Sequence, residues 1–104
     1  MASKRPAILA FPAPGIELRQ IERLVTLAGK RVLEIGCGAG RLTLQLAGRA
    51  SSVIAVDPDS TRIAIATQAA ADAGIRNISF TVGSGERSQA RDGSVERVVF
   101  SWSL

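Results

Sequence analysis

A short apolar run, Arg31-Val32-Leu33-Glu34-Ile35, breaks directly into Gly36-Cys37-Gly38-Ala39-Gly40. A run of this length and type reads as a buried parallel strand, and the alternating glycines read as a tight turn that opens a helix. Parallel strands cannot be joined by a hairpin and need a crossover over one face of the sheet. This junction therefore points to an α/β architecture.

The rest of the chain repeats the theme. Leu18, Ile21, Val25 and Ala28 recur at three- and four-residue spacing, which predicts a helix stopped by Gly29. After the glycines, Leu42, Leu46 and Ala50 share a helical face, while Leu42-Leu44-Leu46 alternates equally well as a strand, so periodicity leaves that segment open. Ser52-Val53-Ile54-Ala55-Val56 is a second strand, ended by Asp57-Pro58. Residues 61–73 are alanine-rich and free of glycine and proline, which predicts a helix capped by Asp59 or Ser60 and stopped by Gly74. Ile78-Ser79-Phe80-Thr81-Val82 and Arg97-Val98-Val99-Phe100-Ser101-Trp102 are the third and fourth strands, with a polar connection over 83–94 that has room for one short helix. The expected fold is a parallel sheet with helices packed on its faces. Residues 1–14, rich in proline and alanine, are expected to be a flexible arm, and residues 15–104 the domain.

Composition narrows the function. A chain of 104 residues, 46% of them hydrophobic, supports one core. Thirteen basic and nine acidic residues give a net charge of +4, but the basic side chains are scattered, and Arg19, Arg23, Arg62 and Arg87 read as a solvated face. There is thus no clear nucleic-acid signal. No apolar stretch reaches the length of a membrane span, and the short run ending at Phe11 is cut off by Pro12, which argues against a signal peptide. One cysteine excludes an internal disulfide, and the absence of histidine excludes a Cys/His or Ser/His nucleophile. Cys37 reads as a packing residue, no metal site is indicated, and the expected compartment is a reducing cytoplasm.

In an open parallel sheet, ligands bind beyond the carboxyl ends of the strands. The glycine turn lets backbone amides approach a ligand, and the helix start behind it favours negative charge. A dinucleotide loop would carry its third glycine at position 41, where this chain has Arg41, so the spacing disfavours NAD. Asp57, at the end of the second strand, can accept both hydroxyl hydrogens of a ribose, although an aspartate before proline also simply starts turns. Together, loop and carboxylate describe a site for a nucleoside with a small polar or charged tail.

At this point Val32-Leu33-Glu34-Ile35-Gly36-Cys37-Gly38-Ala39-Gly40, followed by Val53-Ile54-Ala55-Val56-Asp57, resembles the first two motifs of class I, Rossmann-like S-adenosylmethionine-dependent methyltransferases. Phe80-Thr81-Val82-Gly83-Ser84-Gly85 and Asp92-Gly93-Ser94-Val95-Glu96-Arg97-Val98-Val99 resemble the third and fourth strand motifs. The resemblance runs from about residue 15 to the end. It implies S-adenosyl-L-methionine as cofactor, with Gly36, Cys37, Gly38 and Gly40 against the methionine portion. Glu34 would organise its amino group directly or through water. Asp57 would hold the ribose, Pro58 would lie near the adenine, and Gly83, Ser84 and Gly85 would meet the adenine edge. The family commonly has aspartate at position 84, and Ser84 replaces a charge-assisted bond with a neutral one, a loss of about 1–2 kcal/mol. Glu96 likewise stands where the family usually has aspartate.

The implied activity is methyl transfer from the cofactor's sulfonium to an acceptor, by family habit a small molecule, through in-line displacement. Such chemistry needs little beyond positioning, because the cofactor carries an activated methyl group, and the sequence names no catalytic residue. Members of the family usually carry three further strands that build the acceptor pocket. The chain is therefore expected to be incomplete, truncated after its fourth strand. That strand's far edge would lie open to a partner chain or an oligomer, and turnover by the chain alone would be poor. The rival reading is a non-enzymatic, methyltransferase-like binding or assembly module, or a degenerate fragment.

Overall fold

The computed structural model describes residues 7–11, 18–84 and 94–101, the first of these segments by its backbone. In chain order the elements are β1 (Ala7–Phe11), α1 (Leu18–Glu22), β2 (Arg31–Ile35), α2 (Arg41–Ala47), β3 (Ser52–Asp57), α3 (Ser60–Asp72), β4 (Ile78–Val82) and β5 (Arg97–Ser101). The strands form one five-stranded sheet in the order β1-β5-β2-β3-β4, and every pairing is parallel. The four expected strands are β2, β3, β4 and β5.

Two expectations are corrected at the amino terminus. Ala7–Phe11, assigned to a flexible arm, is a strand that pairs with β5 from Ala7↔Arg97 to Phe11↔Ser101. The far edge of β5 is therefore covered, and the sheet does not stop at the fourth expected strand. The physical reason lies in the sequence Ala7-Ile8-Leu9-Ala10-Phe11. It is an apolar run of strand length, and an open β5 edge would leave a row of backbone donors and acceptors without partners. The second correction concerns α1, which ends at Glu22 instead of running on to Ala28. Leu27 is fully buried and Ala28 exposed, the reverse of the helical face read from the spacing. Val25 and Thr26 are β-branched and weaken the helix, and the turn that follows drives Leu27 into the core.

The ambiguous segment after the glycines is helix α2, because Leu42, Leu46 and Ala47 pack with Ile21, Leu27, Val32, Val53 and Val99. Helix α3 starts at Asp59, whose Oδ1 accepts the amides of Thr61 at 2.9 Å and Arg62 at 3.2 Å. It buries Ile63, Ala66 and Ala70. Strand alternation puts Val32, Val53, Ala55, Ile78, Phe80 and Val99 on one face of the sheet. That face receives all three described helices. The opposite face carries Leu33, Val56 and Val98, packed with Val95, Ile35, Ile54 and Phe100. Helices on both faces were expected; among the described residues they cover one. The short helix foreseen between β4 and β5 falls largely in 85–93, outside the described residues.

Two junctions set where the strand ends lie. At the amino end of the sheet, Glu96 accepts the Arg31 amide at 3.2 Å and Arg31 Nε at 3.3 Å, and it pairs with Lys30 Nζ at 3.8 Å. The Arg31 backbone N–H, then its side chain, holds this exposed carboxyl below the usual range. Glu96 thus joins β5 to the start of β2, at the opposite end of the sheet from the glycine turn. At the carboxyl end, Gly36 follows β2 with φ +84°, and a Cβ there would lie 2.4 Å from the Ser101 carbonyl oxygen. No side chain fits between the ends of β2 and β5.

Gly36→Ala is therefore expected to cost well over ~2 kcal/mol, the left-handed backbone cost plus the clash. Gly29→Ala has a similar φ of +72° but open space around the added Cβ, and should cost only ~1–2 kcal/mol. Urea unfolding of the two variants checks the difference. Asn77 Nδ2 donates to the carbonyls of Ala47 at 2.9 Å and Ala50 at 3.3 Å, closing the end of α2. Asn77→Ala leaves both without that donor and is expected to lower stability by about 1–2 kcal/mol with an unchanged urea m-value.

Candidate functional site

The glycine turn is held from below by β3. Both the Gly36 and the Cys37 amides donate to the Val56 carbonyl, at 2.8 and 3.1 Å, and the Gly38 amide donates to Asp57 Oδ2 at 2.9 Å. The Gly40 amide closes back on the Cys37 carbonyl at 3.0 Å. These four donors are satisfied within the protein and are not free for a ligand. The glycines serve close packing instead. Gly36 admits the Ser101 carbonyl, and a Cβ on Gly40 would lie 2.9 Å from Ala66 Cβ on α3.

Asp57 is the hub of the site. It ends β3 and is 5% exposed. Its Oδ2 accepts Gly38 N–H, and its Oδ1 accepts the Asp59 amide at 2.9 Å. Each oxygen retains a second lone pair. The Asp57 backbone carbonyl also accepts the Gly83 amide at 3.0 Å, which brings the end of β4 to the same place. One residue thus ties the glycine turn, the start of α3 and the turn after β4 together.

Beyond these strand ends lies an open cleft of about 510 Å³. Of the residues expected to bind cofactor, Gly36, Asp57, Pro58, Gly83 and Ser84 line it. Glu34, Cys37, Gly38 and Gly40 lie behind the lining, and Gly85 falls outside the described residues. Ile35, Val56, Asp59, Arg62 and Ser101 line the cleft as well, and the sequence reading gave none of them a role there. Arg62 is paired with Asp59 at 3.7 Å. Ser101 could have been found from its place at the carboxyl end of β5, where ligands of an open parallel sheet bind.

Glu34 shows why position alone was misleading. It is the next-to-last residue of β2, on the helix-covered face, and has no exposed surface. Thr43 Oγ1 donates to its Oε1 and Ser101 Oγ to its Oε2. Burial pushes its carboxyl above the usual range and the Asp57 charge adds to this, while the Ser101 and Thr43 hydroxyls pull it back. Direct contact between Glu34 and a cleft ligand, one of the two expected modes, is closed in this geometry. Cys37 is buried against Ala55 and Ile63. Burial, then the Glu34 and Asp57 charges, pushes its thiol up to about 12, so it is a neutral packing group, as expected. No cluster of three or more His, Cys, Asp or Glu among the described residues could hold a metal. No described helix is long and apolar enough to cross a membrane.

The profile of a methyltransferase domain family matches residues 32–104. Among curated proteins, a ubiquinone biosynthesis O-methyltransferase of Azotobacter vinelandii is 41% identical over 51 residues, 49% of this chain and 22% of that protein. The Acinetobacter baumannii protein of the same name is 37% identical over 59 residues, 57% of this chain and 25% of its own length. The chain thus spans about a quarter or less of the curated relatives it matches. Among solved structures, a dimethyladenosine transferase from Plasmodium falciparum superposes with a TM-score of 0.63 at 34% identity, covering 73% of this chain and 28% of that one. A phosphoethanolamine N-methyltransferase of Haemonchus contortus, solved with phosphoethanolamine and S-adenosylhomocysteine, gives 0.56 at 33% identity, covering 62% and 13%. With the parallel sheet, the glycine turn and the carboxylate at the end of β3, these matches establish that the chain belongs to the methyltransferase domain family, in its Rossmann-like, S-adenosylmethionine-dependent class.

Proposed function

We propose that the cleft binds S-adenosylmethionine and that the chain is the cofactor-binding part of an enzyme that methylates a small molecule. The observation that carries this reading is Asp57, held at the end of β3 with a free lone pair on each oxygen, beside a glycine turn in which the amides of Gly36, Cys37, Gly38 and Gly40 are spent within the protein. A pyrophosphate needs free amides, whereas a ribose needs an acceptor for its two hydroxyls. The cleft volume is within the ~300–1,000 Å³ range of small-molecule sites. Bound S-adenosylmethionine would supply a methyl group already activated on a sulfonium.

The residues at hand divide the work of binding. Asp57 takes the ribose hydroxyls. Pro58 packs toward the adenine, and Gly83 and Ser84 meet its edge. The Gly36–Gly40 turn shapes the wall for the methionine portion, with Gly38 and Gly40 acting from behind it. Glu34 acts from the buried layer. A small-molecule acceptor is supported by the relatives named for ubiquinone biosynthesis and for phosphoethanolamine.

Calorimetric titration with S-adenosylmethionine and S-adenosylhomocysteine tests the reading. Both are expected to bind saturably, while NAD does not. Asp57→Ala should weaken both about 10- to 100-fold through loss of charge-assisted bonds, and it should also lower the melting temperature, since Gly38 and Asp59 lose their acceptor. Asp57→Asn, which keeps one oxygen, should fall between. A folded chain that binds neither adenosyl compound would refute the cofactor site and favour the non-enzymatic module.

A further inference from the structure

The fold sorts the charges of the chain by end. At the amino edge of the sheet, four neighbouring strands bring basic side chains: Arg76 ahead of β4, Arg49 ahead of β3, Lys30 and Arg31 at the start of β2, and Arg97 at the start of β5. Arg23, just after α1, joins them, because Glu22 beside it pairs with Arg49 at 3.5 Å. In sequence these residues are spread from 23 to 97, and only the parallel pairing lines them up. The cleft end has the opposite balance, with Asp57, Asp59 and the buried Glu34 against Arg41 and Arg62. We propose that the amino edge of the sheet docks on the phosphate backbone of double-stranded nucleic acid, independently of base sequence and away from the cleft. The inference goes beyond the cofactor site and does not rest on it.

The acidic side chains at this edge, Glu22, Glu96 and Asp72 at the end of α3, do not cancel the row. Glu96 is shared between Lys30 Nζ at 3.8 Å and Arg31 Nε at 3.3 Å, and Asp72 accepts Gln68 Nε2 at 2.8 Å. Arg97 is held by neutral groups: its Nε donates to the Thr26 carbonyl at 2.9 Å and its Nη1 to the Glu96 carbonyl at 2.8 Å. These bonds fix the guanidinium and leave its charge in place. Arg23 and Arg76 are exposed and form no ion pair with any described residue. The side chains of Lys30, Arg31 and Arg49 are 34, 49 and 58% exposed, so the row is open to a ligand. Helices α1 to α3 also end here, and their carboxyl-terminal dipoles offset part of the positive potential. That effect fades within a turn, whereas the long arginine and lysine stems carry their charges outward.

The form of the row selects the partner. Neighbouring strands lie about 4.8 Å apart, so four of them span about 15 Å. A duplex presents a phosphate on each strand every ~3.4 Å of its axis, which sets about four phosphates of one strand opposite the row. All but Lys30 of the basic residues named are arginine, whose planar fork suits phosphate oxygens. The large apolar side chains exposed among the described residues are Leu24, Ile65 and Val82, none of them aromatic. Without an aromatic platform for unstacked bases, the edge fits a duplex backbone better than a single strand. Only Leu24 of the three stands at this edge, and α1, with five residues, is too short to lay an apolar face into a bilayer surface. The strands place the edge about 17 Å from the cleft. A duplex held there localises the chain and leaves the cleft open.

The test is fluorescence anisotropy of the whole chain with labelled DNA and RNA duplexes of about 20 base pairs and two unrelated sequences, between about 50 and 300 mM salt. Saturable binding to a duplex is expected, equal for the two sequences, with log Kd rising against log salt at a slope of about 3 to 4. Arg49→Ala and Arg76→Ala should each weaken binding severalfold and lower that slope by about one. Arg41→Ala, which removes the same charge at the cleft end, should leave both unchanged. If Arg49→Ala does not fold once Glu22 loses its partner, Arg76→Ala carries the test. No saturable binding at the lowest salt, or equal weakening by Arg41→Ala, would overturn the proposal. Tighter binding to phosphatidylserine vesicles or to polyglutamate than to either duplex would overturn it as well, in favour of a membrane or an acidic protein. Excess S-adenosylhomocysteine should not displace the duplex; displacement would put the nucleic acid in the cleft and overturn the edge. A chain that binds duplex but not S-adenosylhomocysteine would sink the cofactor reading alone.

Discussion

Where a side chain on Gly36 would project, the structure has the backbone carbonyl of Ser101. That single close approach draws the carboxyl ends of β2 and β5 together, and much of the site follows from it. With the two strand ends in contact, the Ser101 hydroxyl reaches back to Glu34 and to the Gly36 carbonyl. Thr43, in the first turn of α2, takes the other oxygen of Glu34. A polar chain then runs from helix to strand to strand through an otherwise apolar layer. An unpartnered carboxyl in that layer would be strongly destabilising; two hydroxyl donors make it tolerable, and they also fix the rotamers that place Ser101 at the cleft.

Asp57 plays the corresponding part at β3. Three segments that must converge to form a nucleoside site, the glycine turn, the head of α3 and the turn after β4, all attach to this residue through its side chain or its carbonyl. A carboxylate in this position does two jobs with different lone pairs. One lone pair of each oxygen holds the scaffold, and the other remains for a ligand. On the proposed reading, loss of the side chain couples a binding defect to the folding defect that the lost Gly38 and Asp59 bonds produce, and a conservative amide separates the two better than alanine does.

Much of this was legible in the sequence, and the exceptions have physical causes. Strands β2 to β5 are short apolar runs ended by glycine, proline or polar turns, and α3 has no helix breaker, so local pattern and tertiary structure agree there. The Ala7–Phe11 run was of strand length too, but proline on either side of it favoured reading an arm; its pairing depends on the β5 edge, which is about 90 residues away in sequence and invisible to local pattern. Helix α1 was overextended because the spacing of Leu18, Ile21, Val25 and Ala28 is a weak signal once Leu27 competes for the core. Asp57, Pro58, Gly83 and Ser84 came from motif position and do line the cleft. Glu34 was expected at the site and lies buried behind the cleft instead, since alternation along β2 decides its face only after the helices are placed. Ser101 carries no motif at all, and only the contact with Gly36 gives it significance.

The charge of the cleft follows from these same contacts. Among the described residues that line it, Asp57 and Asp59 are acidic, Ser101 is backed by Glu34, and the one basic residue, Arg62, is paired with Asp59. The amides of Gly36, Cys37, Gly38 and Gly40, which could have offset this with positive partial charge, are donated to the protein itself. A glycine turn of nearly the same composition can thus serve opposite ends. With free amides it gathers the anionic oxygens of a pyrophosphate. With four of its amides turned inward, as here, it becomes a thin wall in an acceptor-rich cleft, where a ligand carrying a sulfonium and an ammonium is better matched than one carrying phosphates.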